Sequence, residues 1–307
     1  MPNSKSRILL IFIVYFTVSF HSASGQSKFH TNPDSAVIHT EDISLFWKVF
    51  DESAPEFNKD SLQKKYLDAG SDGVKGFIKM RIQSGENLSR TIKQDLFYYQ
   101  QVRQSTLSIN NKKDTLYKYF AGLKKIYPRA VFPDIYFVIG AKNTGGTTFN
   151  GGLIIGAEMF GKETDSFKPR LNIDGVNLVV IHELIHFQQN YAENKSLLAQ
   201  SIREGAADFI CELITGTHPN KYLHEYGDSH EKELWLEFEK KMDSQNWSPW
   251  LYYSNDKTRP RDLGYWMGYK IVKAYYEKKT DKEKAISEIL NIKDFKEFLL
   301  TSEYRGQ

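Results

Sequence analysis

Cysteine is almost absent from the 307-residue sequence, which contains only Cys211. One thiol cannot form an intrachain disulfide, and zinc knuckles built from four cysteines, or from cysteine and histidine pairs, are excluded. A metal site in this chain would therefore use histidine and carboxylate ligands. Without disulfides, a secreted protein of this length depends for stability on its core and on any metal that it binds.

An excess of charge of one sign is also missing, because 41 Lys and Arg face 38 Asp and Glu, a formal net charge of +3. This balance is too even for a dedicated nucleic-acid-binding protein, so no nucleic-acid partner is expected. A hydrophobic content of 40% and a charged content of 26% are typical of a globular protein and exclude disordered and collagen-like chains. The length allows one large domain or two smaller ones.

A long apolar run occurs at the N-terminus, where Lys5 and Arg7 precede an apolar segment at 8–20 and small residues follow it. This order predicts a secretory signal peptide over 1–25, cleaved after Gly25. The run is shorter than the roughly 20 residues that span a bilayer. The mature protein is therefore expected to be secreted or periplasmic and almost neutral, with an uncleaved anchor as the alternative. No cysteine near the cleavage point is present to carry a lipid.

The chain after the signal peptide has mainly helical patterns and a few strand-like segments. Apolar residues recur at helical spacing over 41–127, and β-branched and aromatic runs at 134–140 and 152–156 predict two strands. The Gly/Thr/Asn-rich stretch 143–151 between them is expected to be a flexible connection. Helices are predicted near 174–191, 196–215, 230–242, 262–278 and 281–300, with long loops at 219–226 and 247–261.

The predicted fold class is therefore α+β, predominantly helical, with a small antiparallel sheet. A helical region at 26–130 precedes a region at 131–307 that carries the strands and the later helices. Since no convincing linker separates the two regions, the sequence leaves open whether they form one compact unit.

The sequence His-Glu-x-x-His occurs at His182, Glu183 and His186, within a nearly continuous apolar segment. Residues four apart lie on one face of an α-helix, so both histidines can direct a ring nitrogen at one ion. Glu183 is offset by about 100° and can reach a metal-bound water without ligating the metal. Apolar neighbours nearly all round predict a buried helix. The alternative is two histidines that are hydrogen-bonded in a core helix.

A second predicted helix carries Glu204 and Asp208 one turn apart, and it favours metal binding over that alternative. Glu204 would complete three protein ligands and leave a fourth position open, as a catalytic zinc ion (Zn2+) requires. Asp208 is placed to accept a hydrogen bond from a ligand histidine and so fix its tautomer. The small residues at 205–207 predict that this helix approaches the first one closely. Cys211, on the same helix, is expected to be a packing residue.

The five residues named above resemble the gluzincin metallopeptidases, the thermolysin-like and aminopeptidase-like enzymes in which H-E-x-x-H is followed by E-x-x-x-D on the next helix. The resemblance implies a zincin-like catalytic unit over about 150–300. It also implies zinc binding by the two histidines and Glu204, a general base at Glu183, and an orienting role for Asp208. The chain lacks the G-x-M-E-N exopeptidase motif, so an aminopeptidase is not implied. Ala192 stands where a metzincin would have its third histidine, which excludes that class.

A second resemblance concerns the segment 42–47, which is similar to envelope proteins associated with bacterial gliding motility. Several of those proteins are themselves predicted to be related to zinc proteases. This similarity supports an alternative function, a non-catalytic binding or assembly protein of the cell envelope that keeps a zincin scaffold.

A further hydrogen-bond donor to the developing oxyanion is expected, because zinc peptidases commonly supply one besides the metal. Gluzincins often provide a Tyr or His some sixty residues after the ligand Glu, which implies Tyr265, with Tyr269 as the competing candidate. Gly264 and Gly268 would let the helix that carries them approach the site closely. Either tyrosine can instead be a packing residue. Other conceivable donors are His218, His224 and His230.

The strand formed by Leu153, Ile154, Ile155 and Gly156 is predicted to offer an exposed edge to an extended peptide, through main-chain hydrogen bonds. An ordinary hairpin is the alternative. Taken together, the sequence predicts a secreted or periplasmic zinc-dependent metallopeptidase that acts on a peptide or protein substrate, with Glu183 activating a zinc-bound water. The substrate preference and the oligomeric state are left open.

Overall fold

A computed structural model describes residues 29–252, 254, 256 and 258–306. The predicted signal peptide lies outside the described residues. The predicted fold class, α+β and predominantly helical, is confirmed. The strands are β1 (Ile38–His39), β2 (Asp134–Val138), β3 (Gly146–Phe149), β4 (Gly152–Gly156), β5 (Phe160–Gly161) and β6 (Leu171–Asn172).

Thirteen α-helices occur in the part of the chain that the structure describes. They are α1 (Glu41–Ser53), α2 (Lys59–Ser61), α3 (Asp72–Phe77), α4 (Gly85–Gln94), α5 (Leu96–Leu107), α6 (Lys113–Ile126), α7 (Val176–Gln188), α8 (Leu197–Thr215), α9 (Lys221–Gly227), α10 (Glu231–Lys241), α11 (Leu263–Lys278), α12 (Lys282–Leu290) and α13 (Phe295–Ser302). Among these helices, none combines the length and the apolar character that a bilayer-spanning segment needs.

The main sheet is mixed, so the expectation of an antiparallel sheet was wrong. Its strand order is β1-β2-β4-β3, and only β3 runs antiparallel to its neighbour. The stretch 143–151, predicted to be a flexible connection, contains β3 and forms a tight hairpin with β4. This hairpin places β3 at the edge and β4 between two partners. Leu153, Ile154, Ile155 and Gly156 therefore cannot offer a free edge, because both sides of β4 are already paired.

Both faces of the main sheet are covered, because β2 and β4 are buried almost throughout. On one face, α3 lies so close that added Cβ atoms on Gly73 and Gly76 would clash with Tyr136 and with the side chains of β3 and β4. On the other face lies α7, whose Glu183 side chain contacts Gly146 of β3. Helix α7, which carries the His-Glu-x-x-His motif, therefore packs on one face of this sheet.

Two predictions about the C-terminal half were wrong. The stretch 219–226, expected to be a loop, contains α9, which is held by the burial of Leu223 and by contact between Gly227 and the Trp266 ring. The stretch 281–300, expected to be one helix, is divided into α12 and α13. The side chain of Asp294 accepts hydrogen bonds from the next helix's first N–H groups, which starts a new helix there.

The two regions predicted at 26–130 and 131–307 share one hydrophobic core. Large buried side chains from both belong to it, such as Phe46 and Phe120 from the first and Phe137 and Trp266 from the second. In addition, β1 of the first region pairs with β2 of the second.

The helix α8 is packed between α7 and α11, and among the described elements its contact with α11 is the most extensive. An added Cβ on Gly205 would lie 2.0 Å from the backbone nitrogen of Tyr269, and one on Gly268 would lie 1.7 Å from the carbonyl oxygen of Ser201. The absence of a side chain at Gly205 thus allows the close approach of α11, whereas the prediction was that it allows the close approach of α7. On the α7 side, the buried Cys211 thiol lies 3.6 Å from the carbonyl oxygen of Leu178.

A carboxyl group is buried where β2 and β4 end. Glu158 is inaccessible to solvent, and one of its oxygens accepts a hydrogen bond of 3.0 Å from the N–H of Lys142. Its Oε2 has no hydrogen-bond partner among the described residues. Burial raises the pKa of Glu158 from its ordinary 4.5 to about 7, although the N–H groups of Gly140 and Lys142 lower it.

Replacement of Gly268 by Ala should lower the free energy of unfolding by about 3 kcal/mol or more, because the new methyl group forces α8 and α11 apart. Urea unfolding followed by circular dichroism measures this change. The matched control is Gly175→Ala, where the Cβ meets no atom within 4 Å and φ is −87°. It should change the free energy by less than about 1 kcal/mol. Equal effects of the two substitutions would contradict the proposed backbone contact.

Glu158 should make the protein less stable as the pH rises from 4.5 to 7. Over this range the folded protein keeps a proton that the unfolded chain releases, so up to about 3 kcal/mol of unfolding free energy is lost. In Glu158→Gln this contribution should vanish, and the difference from the wild type should change with pH. Urea unfolding at several pH values measures it. The control Glu233→Gln, at an exposed position, should run parallel to the wild type; a parallel profile for Glu158→Gln would refute the argument.

Candidate metal centre

The motif helix α7 positions both histidines on one side. It follows a 3-10 turn at Ile173–Gly175 that is capped by the side chain of Asn172, and its residues are buried nearly all round. As the four-residue spacing predicts, the rings of His182 and His186 are in contact, with centroids 4.6 Å apart and planes nearly perpendicular. Both are less than a tenth exposed.

The next helix, α8, brings a carboxylate to this pair. It begins at the cap residue Ser196, whose side chain accepts the N–H of Ala199. Glu204 is completely buried, and its Oε2 lies 3.3 Å from Nε2 of His182 and 3.2 Å from Nε2 of His186. The two Nε2 atoms are 2.9 Å apart. The structure thus brings together the three residues predicted as metal ligands.

Asp208 fixes the orientation of the first histidine. Its Oδ1 accepts a hydrogen bond of 2.8 Å from Nδ1 of His182, which is the contact that the gluzincin resemblance implies. Its Oδ2 accepts one of 2.7 Å from the side-chain amide of Asn220. A carboxylate can only accept, so Nδ1 of His182 carries a proton, and Nε2 of the neutral ring presents a lone pair.

Two residues that the sequence did not indicate orient the other ligands. The amide group of Gln189 donates to the carbonyl oxygen of Arg203 over 2.8 Å, so its Oε1 is the atom that accepts from Nδ1 of His186 over 2.9 Å. The hydroxyl of Tyr252 donates to Oε1 of Glu204 over 2.7 Å. As a result, the Nε2 lone pair of His186 and the Oε2 atom of Glu204 point to the same place as Nε2 of His182.

Three acceptor atoms therefore converge, and we call them the acceptor triad: Nε2 of His182, Nε2 of His186 and Oε2 of Glu204. Acceptors at such distances repel one another unless a cation, either a proton or a metal ion, lies among them. The separations of 2.9 to 3.3 Å are close to the roughly 3.3 Å between the ligands of a tetrahedral ion with bonds of about 2.0 Å. The triad can therefore accept a metal without large rearrangement.

The charges around the triad are consistent with an affinity for cations. Burial alone would raise the pKa of Glu204, but the charges and hydrogen bonds of His186 and His182 hold it well below its ordinary value. Burial alone would lower the pKa of His182, but Asp208 and Glu204 raise it well above its ordinary value. Both directions mean that the site stabilises a positive charge at the histidines.

Glu183 does not belong to the triad and lies on the cleft beside it. Burial raises the pKa of Glu183, although the charges of His186 and His182 lower it. The cleft has a volume of about 470 Å³. Its walls come from β3, from the segment before α7, and from the loop before α11. A carboxyl group with a raised pKa in such a cleft is suited to accepting a proton.

Of the two candidate tyrosines, Tyr265 lies at this cleft, with its ring stacked on His182 at a centroid distance of 6.0 Å. Tyr269, one turn further on, points away: its hydroxyl donates to Glu212, and its ring packs against Phe209. The geometry therefore prefers Tyr265 to Tyr269, and its catalytic role stays a prediction.

The other candidate donors do not line the cleft. His218 and His224 pack against the ring of Tyr269. His230 stacks on Tyr226. Burial, followed by the charge of His218, lowers the pKa of His224 to about 4.

Sequence reasoning missed Gln189, Asn220 and Tyr252. Gln189 lies three residues after His186, at the end of α7, so its spacing alone would have placed it near the ring. Asn220 and Tyr252 lie 12 and 48 residues from their partners along the chain. No periodicity relates them to the motif, and only the path of the intervening chain brings them to it.

Comparison with known proteins gives one family. The sequence model of the family described as "Gliding motility protein GldB" matches residues 31–306, which is most of the chain. The similarity to gliding-motility envelope proteins is thereby confirmed, and the gluzincin resemblance stays a prediction from five residues. No curated protein and no solved structure matches the chain.

Proposed function

The chain belongs to the gliding motility protein GldB family, and from this premise we propose that it is a cell-envelope protein of gliding motility that binds one zinc ion. The ligands are His182, His186 and Glu204, as the acceptor triad suggests. The predicted signal peptide and the family together favour a position outside the cytoplasm, in the periplasm or beyond it.

The observation that carries this proposal is the convergence of three buried acceptors, each oriented by its own outer partner. A satisfied pair of core histidines would direct its donors and acceptors to complementary groups. In the neutral rings both Nδ1 protons are already used by Asp208 and Gln189, so the Nε2 atoms have no donor to offer until a proton or a metal ion is bound. A bound cation resolves this arrangement, and the outer partners hold the ligands ready for it.

The donor set favours zinc over the harder cations. Calcium and magnesium prefer oxygen ligands, and six or more of them, whereas zinc accepts two imidazole nitrogens and one carboxylate oxygen. When bound, zinc supplies Lewis acidity and lowers the pKa of water toward neutrality. The triad alone supplies three ligands, and among the described residues no fourth His, Cys, Asp or Glu completes it.

The second candidate function is hydrolysis of peptide bonds, as the gluzincin resemblance implies. The observation in its favour is that His182 of the triad lines the cleft together with Glu183, which lies beside the edge strand β3. Purely structural zinc sites are usually closed by four protein ligands. In this scheme Glu183 removes a proton from the attacking water, and Tyr265 donates a hydrogen bond to the carbonyl oxygen of the substrate.

Zinc binding is tested by elemental analysis of chelator-treated protein after dialysis against zinc. The wild type should contain about one zinc ion per chain, whereas His186→Ala and Glu204→Gln should contain almost none. The control is His30→Ala, which removes a half-exposed ring near Asp134 and should keep the full zinc content. A full equivalent of zinc in His186→Ala would disprove the proposed ligand set.

Hydrolysis is tested on a broad peptide library with zinc-loaded protein. Glu183→Gln should keep its zinc and lose activity by about 100-fold or more, because the proton acceptor is gone. The exposed Glu233→Gln is the control and should keep the wild-type rate. If Glu183→Gln cleaves as fast as the wild type, or if the wild type cleaves nothing, the hydrolytic function is wrong and the metal-binding function still stands.

A further inference from the structure

Two arginines line the same cleft as His182 of the triad and form no ion pair with the described residues. Arg170 directly precedes β6, Arg261 lies in the loop before α11, and both are partly buried. The other partly buried arginines include Arg103, paired with Asp51, and Arg259, paired with Glu237.

No carboxylate of the described residues lies within ion-pair distance of Arg170 or Arg261. The residues that the structure does not describe, 1–28, 253, 255, 257 and 307, contain no Asp or Glu. All aspartates and glutamates of the sequence are therefore accounted for. The two guanidinium groups thus lack a side-chain counter-ion within this chain.

Other charged groups lie near each arginine without forming an ion pair with it. Lys142 is one such group: burial and the charge of Arg170 lower its pKa, whereas its own ion-pair partner Asp95, 2.9 Å away, raises it. On the other side, Asp262 follows Arg261, and its Oδ1 accepts the N–H of Tyr252 over 2.6 Å. Burial raises the pKa of Asp262 and Arg261 lowers it, yet the two side chains form no ion pair.

From the placement of both arginines in one cleft we infer that the cleft binds a peptide that carries a carboxylate, with Arg170 and Arg261 as the groups that receive it. A guanidinium group matches a carboxylate with two parallel hydrogen bonds, which makes arginine the preferred residue for this recognition. The apolar wall formed by Phe160, Leu171 and Val179 suits the side chains of a peptide. The inference rests on the proposed function in one respect, because it places the peptide beside the metal ligands.

The carboxylate of such a peptide is either its C-terminus or an Asp or Glu side chain. Both sources offer the arginines the same group. We therefore choose three probe peptides: N-acetyl-tetra-alanine with a free C-terminus, the same peptide with a C-terminal amide, and an amidated version with one alanine replaced by glutamate. Isothermal titration calorimetry measures their binding to the full-length protein, both zinc-loaded and chelator-treated.

At least one carboxylate peptide should bind more tightly than the neutral amide, and which one does so identifies the source. Arg170→Gln and Arg261→Gln should each weaken that binding by about tenfold or more. The lysine variants Arg170→Lys and Arg261→Lys, which keep the charge, should lie between these and the wild type. Arg129→Gln, an exposed arginine outside the cleft, removes the same charge and should change nothing. Circular dichroism and thermal unfolding verify that each variant is folded.

The inference is overturned if the neutral peptide binds as well as the carboxylate peptides, if no carboxylate peptide binds, or if folded glutamine variants bind like the wild type. These outcomes do not depend on whether the zinc proposal is correct. Arginine-dependent binding in a protein that takes up no zinc would reject only the metal site, whereas full zinc content with arginine-independent binding would reject only the carboxylate subsite.

Discussion

The backbone contact between α8 and α11 is the constraint on which the site depends. Helix α8 carries Glu204 and Asp208 toward α7, and α11 carries Tyr265 to the cleft. Because Gly205 and Gly268 have no side chains, the two helices meet almost backbone to backbone. Together with α7 they form one packed unit, so the positions of the triad atoms are set by helix packing, which holds a site more accurately than loops do.

Residues in irregular segments outside these three helices orient the side chains of the site. Gln189 follows the end of α7, Asn220 precedes α9, and Tyr252 belongs to the loop before α11. Gln189 forms a hydrogen bond with His186, Asn220 with Asp208, and Tyr252 with Glu204. Buried polar groups gain from such networks only when every member has a partner. In this arrangement Nδ1 of each histidine and Oε1 of Glu204 have hydrogen-bond partners. The two Nε2 atoms and Oε2 of Glu204 converge on one point.

The sequence predicted the parts of the site that depend on local periodicity. His182 and His186 share a face because they are four residues apart, and the same spacing places Glu204 and Asp208 on one face of α8. The sequence did not predict that β4 lies inside the sheet. This position follows from the parallel pairing of β4 with β2 through a crossover connection, and no local sequence pattern reports the order of the strands. Likewise α9 forms because Gly227 packs against Trp266 of a distant helix, so its polar sequence was misread as a loop.

The burial and the raised pKa of Glu183 bear on whether the cleft only binds a ligand or also performs chemistry. A binding protein would use the two arginines and the apolar wall, and a structural metal would use only the triad. Neither needs a carboxyl group that is nearly buried and forms no hydrogen bond with the described residues. Burial of such a group disfavours its charged form and costs stability. Unfavourable local chemistry of this kind is concentrated at functional sites. Since Glu183 lies on the cleft together with His182, this cost is what the proposed hydrolytic function would require of a proton acceptor.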